Sequence, residues 1–194
     1  MKLIVLDIDG VLSAGDAQPF DLSLFERLAK LNQMAKKDSQ VPSVTLNTGR
    51  PSPYVEAVMQ AIQGWQPALY EHGAGLYFPQ DYSFQISPHL TPEHKQALDE
   101  VLALLDHEVV QTGRAYWQPG KTVCHTLLPI APATVTEIFD DVQLMINDYT
   151  DFIIVSKTIS SVDVHPKPVT KATGLEWLAQ VTQIDLSDMG GVGD

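Results

Sequence analysis

The chain has 194 residues, of which 44% are apolar and 19% charged, as in a globular protein with one large domain or two small ones. Its formal net charge of −12 argues against nucleic acid and an anionic membrane surface as partners, because no basic stripe is available to neutralise phosphates. No apolar run approaches the roughly 18 residues that a membrane span needs. The single cysteine, Cys124, excludes an intrachain disulfide, so we expect a cytoplasmic protein.

The first part of the sequence predicts strands and helices in alternation. An apolar run at residues 3–6 predicts a strand that is buried on both faces. Asp21 is a candidate N-cap of a helix that continues to about Lys37. Next come a strand at 41–46, a helix at 52–64, a strand at 67–70 and a returning arm at 76–78. This alternation indicates right-handed parallel crossovers, as in an α/β fold.

The pattern changes after residue 79. Pro79 and Pro88 predict a linker across residues 79–90. A helix followed by two strands is then predicted twice, at 91–105, 109–116, 122–128, 133–146, 152–155 and 160–164. That order is typical of an antiparallel sheet with helices on one face. We therefore predict a Rossmann-like doubly wound parallel sheet core from residues 1–82 and 163–194, with a small α+β domain inserted at 83–162.

Polar residues follow the predicted strands of the core. Asp7 and Asp9 end the first strand, and a D-x-D pair of this kind can simply cap a turn. However, Asn47-Thr48-Gly49-Arg50 follows the second strand, Lys171 begins the helix after the inserted domain, and Asp194 follows the last strand. The carboxyl ends of strands in such a sheet meet on one rim. Carboxylates, a hydroxyl, a glycine amide and an ammonium together suit phosphoryl transfer.

These stretches resemble the haloacid dehalogenase (HAD) superfamily of phosphatases. The class IIB branch, with its Cof-type, sucrose-phosphate and phosphoglycolate phosphatases, is the most similar. Four stretches carry the resemblance, and the predicted insertion lies where that branch has its cap domain. They are Asp7-Ile8-Asp9-Gly10-Val11, Thr48-Gly49-Arg50, Lys171 and Gly193-Asp194.

The resemblance implies a role for each carboxylate. Asp7 is the expected nucleophile, which would form a phosphoaspartyl intermediate. Asp9 is the expected general acid and base. The resemblance also implies Mg²⁺, bound by the carboxylates of Asp7 and Asp194 and by the backbone carbonyl of Asp9.

The remaining motif residues are expected to bind the substrate. Thr48 and the Gly49 amide would hold phosphate oxygens, and Lys171 would neutralise the phosphate and the nucleophile. Arg50 would either position the substrate or pair with a core carboxylate. In the inserted domain, Arg114, Lys121 and His125 are candidates for substrate selection, and the alternative is that they are ordinary strand residues.

The expected function is a Mg²⁺-dependent phosphatase for a small phosphorylated metabolite, such as a sugar phosphate or phosphoglycolate. The alternatives are a phosphomutase of the same superfamily and a truncated, catalytically weak binding or regulatory module. Two departures from the family bear on this. The family usually has a second aspartate shortly after Gly-Asp, whereas this sequence ends at Asp194, so we expect a truncated core. His72 stands where the family often has Asn.

Overall fold

A computed structural model describes residues 1–15 and 18–193. The chain divides into two compact units. The first combines Met1–Ser87 with the segment that begins at Thr170, and the second is Pro88–Val169. The sequence placed these boundaries at 82/83 and 162/163. The observed boundaries lie later in the chain, because residues 83–86 pair with the first unit and residues 162–166 pair within the second.

The described part of the chain contains ten strands and five α-helices. The strands are β1 (Leu3–Leu6), β2 (Ser43–Leu46), β3 (Ala68–Tyr70), β4 (Gly75–Phe78), β5 (Ser83–Ile86), β6 (Ala115–Trp117), β7 (His125–Pro129), β8 (Ile153–Lys157), β9 (Val162–Pro166) and β10 (Met189–Val192). The helices are α1 (Leu22–Ala35), α2 (Ser52–Ala61), α3 (Pro92–Leu105), α4 (Val135–Met145) and α5 (Lys171–Thr182).

A parallel sheet with β1 at its centre forms the middle of the first unit. The strand order is β10-β1-β2, and both pairings of β1 are parallel. Successive residues of β1 face opposite sides of the sheet. Leu6 packs in a cluster with side chains of α1 and α2, whereas Leu3 and Val5 pack with Trp177 of α5. Helices therefore cover both faces, as expected for an apolar strand buried on both sides.

The helix predicted after Asp21 is confirmed. The Asp21 carboxylate accepts hydrogen bonds from the backbone N–H groups of Ser23 at 2.8 Å and Leu24 at 3.3 Å. These bonds satisfy donors that have no partner within the first turn of a helix. The helix ends at Ala35, close to the predicted end.

The linker predicted at residues 79–90 is wrong. Residues 83–86 form β5, which pairs antiparallel with β4 in a sheet of order β3-β4-β5. Pro79 and Pro88 lie outside the strand, so neither removes an N–H that the pairing needs. Phe84 of β5 stacks on Tyr77 of β4 with the ring centroids 4.9 Å apart, and this cross-strand aromatic pair stabilises the hairpin.

The second unit has the predicted order of elements, with one error. Its antiparallel sheet has the order β6-β7-β9-β8, and α3 and α4 pack against that sheet. The strand predicted at 109–116 is reduced to β6, because residues 106–110 extend α3 by a π-helical turn. Leu105 and Val109 are fully buried and four residues apart, so they continue the buried face of the helix. Within the described residues, no helix is long and apolar enough to cross a bilayer.

A contact between two glycines holds α5 against the turn at residues 71–73. A methyl group on Gly174 would lie 2.8 Å from the Cα of Gly73, and one on Gly73 would lie 2.5 Å from the Thr170 carbonyl oxygen. Gly73 also has a φ of +93°, which side chains rarely tolerate. Only glycine at both positions allows the first turn of α5 to come this close.

Replacing Gly174 with alanine should therefore destabilise the protein. In a helix without this contact, alanine would be the more favourable residue by about 1 kcal/mol. Here we expect the free energy of unfolding in urea to fall by about 1–3 kcal/mol, because the backbone must shift. Gly191→Ala is the matched control, since nothing lies within 4 Å of its added methyl group. A Gly174→Ala protein at least as stable as the wild type would contradict the contact.

His165 of β9 is a buried titratable residue of the second unit. The residue is 8% exposed, and its Nδ1 lies 3.2 Å from the Pro166 carbonyl oxygen. Burial lowers the pKa of His165 below its ordinary value of 6.5, although the nearby Asp163 carboxylate opposes this shift. The folded protein consequently takes up a proton on this ring less readily than the unfolded chain does.

The sign of the resulting pH dependence follows by linkage. Below about pH 6.5 the unfolded chain binds a proton at this histidine that the folded state does not, so the free energy of unfolding falls as the pH falls. The contribution cannot exceed about 1.4 kcal/mol per pH unit. In denaturant titrations between pH 7.5 and 5.5, we expect His165→Gln to lose less stability than the wild type. Equal losses in the two proteins would contradict this account.

Candidate active site

Asp7 lies directly beyond the carboxyl end of β1, the central strand. Its backbone N–H donates to the Val192 carbonyl at 3.0 Å, which continues the pairing with β10 by one residue. The residue is 8% exposed. Its Oδ1 accepts a hydrogen bond from the Ile8 N–H at 2.7 Å, so the carboxylate is oriented by the backbone that follows it.

Lys171 is paired with this carboxylate. It is the first residue of α5, whose N-cap Thr170 accepts a hydrogen bond from the Thr173 N–H at 3.1 Å. The Lys171 ammonium donates to Asp7 Oδ2 in a charged hydrogen bond. The fold thus brings together two predicted site residues that are 164 positions apart in the sequence.

The second carboxylate of the motif, Asp9, is held by Arg50. The guanidinium donates from Nε to Oδ2 at 2.7 Å and from Nη2 to Oδ1 at 2.6 Å. Such bidentate pairs fix both partners geometrically. The Arg50 guanidinium also lies over the Tyr54 ring, 5.1 Å from its centroid. Of the two roles open to Arg50, the ion pair is present, and substrate positioning stays a prediction.

Thr48 and Gly49 lie in the loop after β2, beside the turn at residues 71–73. Thr48 is fully buried, and its Oγ1 accepts a hydrogen bond from the Arg50 N–H at 3.3 Å. Two further bonds join the loop to the turn. The Glu71 N–H donates to the Arg50 carbonyl at 3.0 Å, and the His72 N–H donates to the Thr48 carbonyl at 2.9 Å. The loop after β2 and the turn after β3 are therefore joined by backbone hydrogen bonds.

The turn itself has three successive residues in the left-handed region. The φ angles are +48° at Glu71, +58° at His72 and +93° at Gly73. Non-glycine residues in such backbone cost of order 1–3 kcal/mol each and persist only where the surroundings hold them. The His72 ring lies against Gly49, where an added methyl group would be 2.6 Å from Cε1 and Nε2. His72 therefore packs against the loop that carries Thr48 and Gly49, the candidate phosphate-binding residues. The sequence alone did not define this role for His72.

Asn47 also belongs to the site, although its position in the stretch Asn47-Thr48-Gly49-Arg50 did not predict a role for its side chain. It follows β2 directly, and its backbone N–H donates to the Leu6 carbonyl at 2.9 Å, beside Asp7. The side chain is buried, and its Nδ2 donates to the Lys171 backbone carbonyl at 3.0 Å. Its Oδ1 is buried and has no hydrogen-bond partner among the described residues. An unsatisfied buried acceptor of this kind costs about 1–3 kcal/mol.

A pocket of about 380 Å³ adjoins these residues. Asp7, Asn47 and Lys171 are its polar lining residues, and the remainder of the lining comes mainly from apolar side chains and glycines of β1, α5 and β10. The pocket lies entirely within the first unit. It therefore places a carboxylate, an amide and an ammonium at one concave surface.

Other predicted residues belong to the second unit or lie outside the described chain. Arg114 pairs with Asp141 at 2.5 Å, the His125 ring is edge-on to Trp117 at 5.8 Å, and Lys121 lies between β6 and β7. Their role in substrate selection stays a prediction.

The expected metal ligand Asp194 lies outside the described residues. Within residues 1–15 and 18–193, no group of three or more His, Cys, Asp or Glu side chains is arranged to hold a metal ion. The metal site therefore stays a prediction.

The close approach of His72 to Gly49 can be tested by a double-mutant cycle. The Gly49 backbone is not left-handed, so Gly49→Ala should destabilise the protein through contact with the imidazole. His72→Asn keeps a residue that tolerates a positive φ and removes the ring. In urea unfolding, we expect Gly49→Ala to cost at least about 0.5 kcal/mol less in the His72→Asn background. Additive effects would contradict the contact.

No family model matches the chain, and neither does any curated protein. Solved structures do match, and one is a haloacid dehalogenase-like hydrolase from Bacteroides thetaiotaomicron, with a TM-score of 0.69, 14% identity, and coverage of 100% of this chain and 81% of that one. The sucrose-phosphatase from Synechocystis, solved with sucrose and phosphate, has a TM-score of 0.69, 16% identity, and coverage of 100% and 75%.

A sugar phosphatase of HAD subclass IIB matches with a TM-score of 0.63 and 13% identity, over 98% of this chain and 80% of that one. Similarity at these identities is informative about the fold. The chain has the fold of the phosphatases of the haloacid dehalogenase superfamily.

Proposed function

We propose that the chain is a phosphatase that hydrolyses a small phosphorylated metabolite through a phosphoaspartyl intermediate on Asp7. The observation that carries the proposal is the ion pair between Asp7 and Lys171 at the carboxyl end of the central parallel strand. Ligands of open parallel sheets bind at this end. The phosphatases among the structural neighbours supply the reaction class.

Asp7 is the proposed nucleophile. Its Oδ1 is oriented by the Ile8 N–H, and its Oδ2 is paired with the Lys171 ammonium. One carboxylate oxygen forms a bond to phosphorus while the bond between phosphorus and the leaving oxygen breaks. The Lys171 ammonium would lower the repulsion between the carboxylate and the phosphate dianion, because it is paired with the carboxylate and has further N–H donors for the phosphate.

Asp9 is the proposed proton carrier. It would protonate the leaving oxygen and then accept a proton from the water that hydrolyses the acyl phosphate. Both of its oxygens accept hydrogen bonds from Arg50 in the structure. These two bonds occupy two of about four lone-pair sites on the carboxylate, so a site remains on which Asp9 can carry the proton. We propose that the Arg50 guanidinium, which is held in place by this pair, also helps to position the substrate phosphate.

Thr48 and Gly49 are proposed to hold the transferred phosphate. The Thr48 hydroxyl and the Gly49 N–H belong to the loop beyond β2, the strand next to β1. The hydrogen bonds from the turn at 71–73 hold this loop in place. Donors fixed in this way need little reorganisation during the reaction.

The donor chemistry of the site fits Mg²⁺, the proposed cofactor. Mg²⁺ prefers carboxylate and carbonyl oxygens, and the Asp7 carboxylate accepts two hydrogen bonds out of about four lone-pair sites. The residues that would hold it are Asp7, the backbone carbonyl of Asp9 and Asp194, which lies outside the described residues. When bound, it would neutralise negative charge on the phosphate.

The proposed substrate class is a phosphorylated sugar or a compound of similar size. Two structural neighbours are a sucrose-phosphatase and a sugar phosphatase. We propose that the second unit, Pro88–Val169, is the cap domain and that Arg114, Lys121 and His125 contribute to substrate selection there. The net charge of −12 makes nucleic acid and anionic membranes poor partners.

A binding or regulatory module is the second candidate, and the bidentate pair between Arg50 and Asp9 favours it. A general acid held at both oxygens by a guanidinium suits phosphate binding better than rapid turnover. A phosphomutase would share the chemistry of Asp7 and differ in its product.

Phosphate release from a panel of phosphorylated metabolites tests the proposal. With Mg²⁺ we expect release of inorganic phosphate, which EDTA should abolish. Asp7→Asn should lower the rate by about 10³-fold or more, because no nucleophile remains. Lys171→Met should lower it by about 10²–10³-fold, because charge stabilisation is lost.

Asp99→Asn is the matched control, since Asp99 is an exposed residue of α3 in the other unit. It should retain the wild-type rate. Release that is independent of Mg²⁺, or full activity in Asp7→Asn, would contradict the mechanism. An isomerised ester without free phosphate would indicate a mutase, and binding of phosphate without turnover would indicate the module.

A further inference from the structure

Two buried asparagines of the first unit differ in one respect. Asn32 is fully buried, its Nδ2 donates to the Ile62 carbonyl at 3.0 Å, and its Oδ1 accepts from the Val44 N–H at 2.8 Å. Asn47 is 6% exposed and donates to the Lys171 carbonyl at 3.0 Å, but its Oδ1 has no partner among the described residues. Buried side-chain acceptors are nearly always satisfied, so the Asn47 oxygen calls for an explanation.

The orientation of the Asn47 amide follows from its other contact. The Lys171 backbone carbonyl can only accept, so the amide group facing it must be the NH₂. A flipped amide would place two acceptors against each other and leave the NH₂ without a partner. The unsatisfied atom is therefore the oxygen.

Lys171 is the residue that offers a candidate donor for that oxygen. Asn47 is joined to the backbone of Lys171, and both residues line the same pocket as Asp7. An ammonium group carries three N–H donors, and within the described part of the chain that of Lys171 contacts one acceptor, Asp7 Oδ2. The lysine stem has four flexible carbons, which allows the ammonium to move between neighbouring acceptors. The Asn47 oxygen is also buried away from solvent, so a donor from the protein is better placed than a water molecule to form a hydrogen bond with it.

We propose that Asn47 is the positioning residue of Lys171. Its NH₂ group holds the Lys171 carbonyl, and its Oδ1 accepts a hydrogen bond from the Lys171 ammonium when Asp7 no longer offers a carboxylate. The catalytic consequence rests on the proposed function. When Asp7 becomes an acyl phosphate, its carboxyl oxygens lose their negative charge and the phosphoryl group carries the charge instead. Asn47 then offers the ammonium a fixed acceptor on the protein during the second step.

The experiment removes the carboxylate and observes the ammonium directly. Protein labelled with ¹⁵N-lysine is measured by NMR for Nζ signals that survive solvent exchange, and Lys171→Met assigns the signal of Lys171. In Asp7→Ala we expect the Lys171 Nζ signal to persist at a shifted position. In Asp7→Ala with Asn47→Leu we expect it to be lost, because neither acceptor remains.

Two further variants separate this role from a structural one. Asp7→Ala with Asn47→Asp retains a side-chain oxygen acceptor and should keep the signal. Asp7→Ala with Asn32→Leu removes a comparable buried amide whose oxygen is already satisfied, and it should also keep the signal. Thermal unfolding establishes that each variant is folded.

Two results would overturn the proposal. One is loss of the Lys171 signal in a folded Asp7→Ala protein, where Asn47 is intact. The other is persistence of the signal in the folded variant that lacks both Asp7 and Asn47. The measurement needs no turnover, so a protein without phosphatase activity would still give a clear answer about Asn47.

Discussion

The candidate site is organised around one interaction, the ion pair between the Asp7 carboxylate and the Lys171 ammonium. Asp7 ends the central strand and is almost fully buried, and an unpaired carboxylate there would have a large desolvation cost. The pair balances that charge and joins the first strand to the helix that returns from the second unit. The same pairing places the proposed nucleophile beside a cation, an arrangement that suits phosphoryl transfer.

The surrounding residues hold the lysine in place from several directions. Thr170 caps α5, the two glycines Gly73 and Gly174 let its first turn approach the turn at 71–73, and Asn47 bonds the Lys171 carbonyl. Backbone hydrogen bonds also join the strained turn at 71–73 to the loop that carries Thr48 and Gly49. Stability and proposed function are therefore coupled here, since each of these contacts supports both the fold and the geometry of the site.

The sequence predicted the features that have local signals. Local patterns predicted the apolar strand that ends in aspartates and the capped amphipathic helix after Asp21. They also predicted the second part of the chain, in which a helix followed by two strands occurs twice. Three features lack such signals. The strand β5 depends on aromatic pairing with β4, the turn after α3 depends on packing of Val109, and the role of Asn47 depends on a contact across 124 positions. Tertiary packing determines these three features, and the periodicity of a short stretch of sequence carries no information about such contacts.

The proposed mechanism requires that Asp7 forms a covalent acyl phosphate. Borohydride reduces an acyl phosphate of aspartate to homoserine, so trapping during turnover followed by peptide mapping tests the claim at a single residue. We predict homoserine at position 7 in the presence of Mg²⁺ and substrate, and unmodified aspartate when either is omitted. Release of phosphate with Asp7 unmodified, or with the label at another residue, would contradict the account.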